Sequence, residues 1–249
     1  MADPNNAELT YAVGDIHGRA DLLCEALDLI EAHTIGRARR IVFLGDYVDR
    51  GPSSAEVVDR LMTLQSRDLS VVCLRGNHEA MMLEALEGGD PGAMTLWLDN
   101  GGEATLASYR NFPLSSALGA PPNAHLAWMQ GLPLTASDPG RVYVHAGLAP
   151  GVSLSRQKQR SLIWIRDAFL AADAEEFDAH VVHGHTPVWS GKPDPVKPER
   201  LAHRTNLDTG AFATGILSVG VFRTNSGRGP IEILSAGLKA HRGPSRSRL

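Results

Sequence analysis

Cysteine is scarce. Cys24 and Cys73 are the only two in 249 residues, too few for a disulfide-stapled scaffold or a cysteine-rich metal cluster. Cys24 falls in a helical pattern and Cys73 in a strand pattern, both on apolar backgrounds, so buried thiols in a reducing compartment are expected. Long apolar runs are also missing, because charge or glycine interrupts every candidate, and no membrane-spanning helix is expected. The polar start MADPNNAELTY has no leader-like apolar segment, and a cytoplasmic location is the expectation. An excess of positive charge is absent too: the formal net charge of -4 offers no general surface for nucleic acid. Only residues 237–249 are locally basic, with Lys239, Arg242, Arg246 and Arg248 and no acid, which reads as a frayed, solvated end.

What is present has the rhythm of an α/β fold. Strand-like runs at 9–13, 40–44 and 69–74 alternate with helical patterns at 20–33 and 54–64. Further strand-like runs follow at 141–144, 180–182, 215–222 and 230–236. Residues 79–131 read as a helical insertion whose Met81, Met82, Trp97 and Trp128 are expected to pack in a core. The Pro-rich, charged stretch 192–199 reads as an exposed loop. One domain spanning 1–249 is the expectation.

Each of the first five strand-like runs is followed by groups able to bind a metal: Asp15 and His17, Asp46, Asn77 and His78, His145, then His183 and His185. A lone histidine is usually structural. Strands ending at one edge, however, would gather all of these. Carboxylate, amide and imidazole donors suit Mn²⁺, Fe²⁺ or Zn²⁺, and there are too many for one ion. Two ions need a shared anionic bridge, for which Asp46 at the central strand end is the natural choice. Arg50 and Arg166 are expected to grip a tetrahedral anion through their planar guanidinium forks. His78 directly follows Asn77 and can lie near a leaving oxygen, with Asp49 as the carboxylate that orients it.

The ordered set GDIHG (14–18), GDYVDRG (45–51), GNHE (76–79), HAG (145–147) and HGH (183–185) resembles the motifs of the phosphoprotein phosphatase family of dinuclear metallophosphoesterases. The chain is similar in size to the small bacterial and phage members, and the resemblance covers about residues 10–210, including NLDTG at 206–210. It implies a calcineurin-like fold, a central β-sandwich flanked by helices. It implies one ion held by Asp15, His17 and Asp46 and a second held by Asp46, Asn77, His145 and His185, with Mn²⁺ the first expectation. His183 stays outside this ligand set. Catalytic roles fall to His78, Asp49, Arg50 and Arg166, with direct attack by a hydroxide bridging the ions.

The resemblance leaves the ester open. A serine/threonine phosphoprotein, or a small phosphomonoester, is the first expectation, because GDYVDRG keeps Asp49 and GNHE ends in Glu79. Symmetrical hydrolysis of bis(5'-nucleosyl) tetraphosphates is the alternative. A non-catalytic binding module is disfavoured by the full complement of ligands. No regulatory subunit is implied.

Overall fold

The structure, a computed structural model, describes residues 8–113, 120–188, 196–224 and 228–237. Among the described residues, ten strands form two five-stranded mixed sheets. The first has the order β10–β9–β1–β2–β3, with β1 Leu9–Val13, β2 Arg39–Phe43, β3 Val71–Cys73, β9 Leu217–Arg223 and β10 Glu232–Ala236. Within it β1, β2 and β3 are parallel, joined by α1 (Ala20–Thr34) and α2 (Ser54–Arg67), while β9 and β10 run antiparallel to their neighbours. The second has the order β4–β5–β6–β8–β7, with β4 Thr135–Asp138, β5 Arg141–Val144, β6 His180–His183, β7 Glu199–Arg200 and β8 Arg204–Asn206. Its three central strands are parallel and its two edges antiparallel.

Successive residues on a strand face opposite ways, and here both faces are covered. Tyr11, Val13, Ile41 and Phe43 pack outward under α1 and α2. The intervening Ala12, Val42 and Leu44 meet Tyr143, Val182 and Leu207 of the other sheet. Val142, Val144 and Val181 point away from that interface and pack with Leu162, Ile163 and Phe169. The order is therefore helices, sheet, sheet, helices. Burial on both faces explains why these strands read as continuous apolar runs rather than alternating ones.

The expected runs lie within a residue or two of the observed strands, but β4, β7 and β8 were not foreseen. They are short, and β4 and β8 are polar: TASD and RTN carry little strand signal by themselves. Of the expected helical stretch 79–131, residues 114–119 lie outside the described residues, and the rest is largely helical, with α3 Asn77–Glu87, α4 Pro91–Trp97, α5 Glu103–Arg110 and α6 Asn123–Gln130. Trp97 is fully buried and Trp128 partly so. Cys73 is buried, whereas Cys24 is only half-buried because it sits on the flank of α1; both are free thiols. The loop expected at 192–199 lies outside the described residues up to 195, and its last residue, Glu199, opens β7. Of the basic tail, 238–249 lie outside the described residues. Among the described residues no helix is long and apolar enough to cross a membrane.

Candidate metal centre

Six parallel strand ends, three from each sheet, supply the polar residues at one edge of the sandwich. β1 leads into Asp15 and His17, β2 into Asp46, Asp49 and Arg50, and β3 into α3, whose first residues are Asn77 and His78. From the other sheet, β5 leads into His145, β6 into His185 and β8 into Asp208. The backbone here is unusual. Among the described residues, the non-glycine positions with positive φ are His17, Asp46, Asp49, Arg50 and His185. A left-handed non-glycine residue costs on the order of 1–3 kcal/mol, and all five are residues singled out from sequence. The surrounding packing holds them in that conformation. Two glycines make room for the carboxylates: a Cβ on Gly184 would overlap Asp15 Oδ1, and one on Gly76 would overlap Asp46 Oδ1.

Two groups of ligand atoms, each within 4.8 Å, share Asp46: His17–Asp46–His78 and Asp46–His145–His185. All five side chains are buried. His145 Nδ1 donates to the Leu44 carbonyl at 3.0 Å, which leaves Nε2 facing Asn77 Oδ1 at 2.9 Å and Asp46 Oδ1 at 3.4 Å. His17 Nδ1 donates to the Val48 carbonyl at 2.8 Å, which turns Nε2 toward Asp46 Oδ2 at 3.6 Å. His185 Nε2 and Asp15 Oδ1 are buried with no hydrogen-bond partner among the described residues. Acceptors converging on one another, and buried polar atoms without partners, are what a cation would satisfy. Burial lowers the pKa of His17 and of His145, and holds His185 down to about 2, so these imidazoles are neutral and free to ligate. For Asp46, burial works against ionisation, yet its pKa is lowered, and of the imidazoles around it His78 is the one whose own pKa is raised. Burial, then the nearby Asp208 and Asp46, pushes Asp15 well up, a repulsion that divalent charge would relieve. The donor set fits divalent metal ions.

His78 stands apart from the other imidazoles. Its Nδ1 donates to Asp49 Oδ2 at 2.6 Å, and its Nε2 lies 3.9 Å from Asp46 Oδ2. Burial alone would lower its pKa, yet Asp46 and Asp49 together raise it. Arg50 reaches both rings, with Nη1 at 2.8 Å from His17 Nε2 and Nη2 at 3.0 Å from His78 Nε2. Arg166 is exposed, and its Nη1 donates to Thr186 Oγ1 at 3.2 Å. His183 is buried with Nδ1 on the Gly184 carbonyl and its ring edge against Phe169, and it belongs to neither ligand group.

Several contributors escaped the sequence reading. Trp97, expected only as core, donates its indole N–H to Asp49 Oδ1 at 2.9 Å, and Thr105 donates its hydroxyl to the same oxygen at 2.7 Å. The helices between β3 and β4 thus grip the carboxylate bonded to His78. Glu79 is buried and accepts backbone N–H groups from Tyr47 at 2.7 Å, Gly76 at 2.9 Å and Asp46 at 3.0 Å, which ties the second and third motifs together. Phe212 places its ring 4.9 Å from the Arg50 guanidinium and 5.5 Å from the His17 ring. Only Glu79 had a signal, as the last letter of GNHE. The others depend on contacts across 48 or more residues.

A β-sandwich whose strand ends gather carboxylates and neutral imidazoles around a shared aspartate defines a metallophosphoesterase. The chain belongs to the calcineurin-like phosphoesterase family, whose model matches residues 10–213. It is 30% identical over 180 residues to a symmetrical bis(5'-nucleosyl)-tetraphosphatase of Methylobacillus flagellatus, covering 72% of this chain and 57% of that one. It is 41% identical over 93 residues to serine/threonine-protein phosphatase 2 of Escherichia coli, covering 37% and 38%. The chain spans 57–65% of the length of the symmetrical tetraphosphatases it matches. A metallophosphoesterase from Sphaerobacter thermophilus shares the fold, with a TM-score of 0.57 at 21% identity over 94% of this chain and 89% of that one.

Proposed function

We propose that the chain hydrolyses phosphoric esters with two divalent ions held by Asp15, His17, Asp46, Asn77, His145 and His185. The observation that carries this is the convergence of buried His17, His145 and His185 on Asp46, with Asn77 Oδ1 against His145 and Asp15 Oδ1 left without a hydrogen-bond partner among the described residues. Bound ions of this kind supply a water acidic enough to act as nucleophile near neutral pH and draw charge from phosphoryl oxygens. Arg50 binds and orients the phosphoryl group, and Arg166 is assigned the same task. His78 Nε2 delivers a proton to the leaving oxygen, and Asp49 fixes the ring so that this nitrogen faces the substrate.

Two substrate classes follow. The relatives favour dinucleoside tetraphosphates over the phosphoprotein first expected from sequence, since that match extends over 72% of the chain against 37% for the protein phosphatase. Aromatic surfaces flank the ligands accordingly: Phe212 beside His17, and Trp164, 39% exposed, with its ring 6.1 Å from His185. We take the tetraphosphate as the first reading. The second, a phosphoserine or phosphothreonine ester, is favoured by the His78–Asp49 pair. A serine alkoxide leaves poorly without a proton, whereas a nucleotide phosphate leaves readily without one. Side-by-side turnover of diadenosine tetraphosphate, a phosphoserine peptide and p-nitrophenyl phosphate by the Mn²⁺-reconstituted chain ranks the readings. Metal analysis is expected to give two ions per chain, and fewer in Asp46→Asn. Unchanged metal content in Asp46→Asn removes the shared-ligand assignment.

A further inference from the structure

The anion-binding arginine opens onto a second feature. Arg50 forms one end of a groove of about 690 Å³ that runs between the start of α2 and the length of α5, ending at Asn111 and Phe112. Its walls are short: Ala55 on one side, Ala104 and Ala107 on the other. We propose that this groove is a nucleoside subsite, taking the base and sugar attached to the phosphate chain that Arg50 holds. The proposal rests on the tetraphosphate reading for its physiological substrate.

Three observations identify the occupant. First, Arg50 is shared: its Nη atoms reach His17 and His78, and the same residue lines the groove. A molecule in the groove and a phosphate at the metal centre would therefore have Arg50 as a common neighbour. Second, the lining is almost uncharged. Apart from Arg50, Glu56 is the one charged lining residue among those described, and it is engaged by Arg60 at 2.7 Å. Flat methyl-bearing walls with an aromatic at the end suit a neutral planar ring, and the volume lies within the range of about 300–1,000 Å³ usual for small-molecule sites. Third, Phe112 is braced by ring contacts with Tyr109 at 6.2 Å and His125 at 5.5 Å, which hold it in place for stacking. Asn111 beside it is exposed, and its amide offers the donor and acceptor pair that matches adenine N7 and N6.

The test is equilibrium binding of the α,β-methylene analogue of ADP and of inorganic phosphate to the full chain with Mn²⁺ present. The parent is expected to bind the analogue at least tenfold more tightly than phosphate. Ala107→Trp, which fills the groove from an exposed position, is expected to lower the analogue's affinity at least tenfold and leave phosphate affinity within twofold. Asn111→Ala, also exposed, gives a loss of a few-fold without adding bulk, and thermal melting checks that both variants fold. Equal affinity for analogue and phosphate in the parent overturns the subsite, as does an Ala107→Trp variant that binds the analogue like the parent. So does a variant that loses a phosphoserine peptide but keeps the analogue, because the groove then takes polypeptide. Diadenosine tetraphosphate turnover by the parent is scored separately. Its absence removes the tetraphosphate reading while groove-dependent binding of the analogue stands.

Discussion

His78 and Asp49 show how one contact at the residue scale can fix the role proposed for a side chain. Nδ1 is committed to Asp49 Oδ2 at 2.6 Å, so only Nε2 faces the reaction space. Burial of the ring and of the carboxylate keeps water from competing for that bond. His78→Asn is expected to retain both ions but lower kcat on a phosphoserine peptide by about 10² to 10⁴-fold, the usual worth of general acid catalysis. The loss on p-nitrophenyl phosphate is expected to be at least tenfold smaller, since its phenolate needs little protonation. Equal losses on the two substrates would take the proton-donor role away from His78 and leave it as a contact to the phosphoryl group. The motif letters alone made this pair legible, because Asn77 and His78 adjoin on a helix start and GDYVDRG supplies a nearby acid. They did not reveal the left-handed backbone at Asp49 and Arg50, which turns both side chains inward.

At the scale of elements, the helices between β3 and β4 do more than pack. The π-helical turn Leu98–Gly102 joins α4 to α5, and its Gly101 carbonyl accepts the Arg50 N–H at 3.2 Å. α4 contributes Trp97 and α5 contributes Thr105, and both donate to Asp49. Removing one donor from a buried carboxylate costs about 1–3 kcal/mol. Trp97→Phe keeps the aromatic body and deletes the N–H, so metal content is expected to stay at the parent level. Phosphoserine turnover is expected to fall about tenfold, and more than aryl phosphate turnover. A variant with parent kinetics on both esters would show that Thr105 alone suffices to hold Asp49. None of this was readable in the insertion itself, where a tryptophan on an apolar helix face has the same pattern whether its N–H is used or not.

For the whole molecule, the sandwich buries imidazoles along with its apolar core, and that has a pH signature. Burial holds His183 down to about 3 in the folded chain, against about 6.5 for an ordinary histidine. The unfolded chain therefore takes up a proton that the folded chain refuses. The stability this neutral ring contributes is complete above about pH 6.5 and is lost progressively as pH falls toward 3. Thermal melting between pH 7 and pH 4 is expected to show a steeper decline for the parent than for His183→Gln. Well below pH 6.5 the difference should approach one proton, about 1.4 kcal/mol per pH unit. Parallel curves would mean that His183 is protonated in the fold, and its packing against Phe169 would need another account.

The sequence by itself determined the α/β alternation and the inventory. Two-sided burial makes β1, β2, β5 and β6 read as apolar runs, and each run ends where its chemistry-bearing residues begin. That much is local, carried by neighbours in the chain. Only the tertiary structure decided the assembly of the site, because Asp46 meets His145 and His185 across two sheets that share no strand. It also decided that Asp15 lends Oδ2 to the His185 N–H at 3.0 Å, that Trp97 serves Asp49, and that Arg50 opens onto the groove along α5. The physical reason is separation. Hydrophobic periodicity reports which face of an element is buried, but polar contacts between residues 48 to 170 positions apart depend on how the buried faces stack, and no local pattern records that.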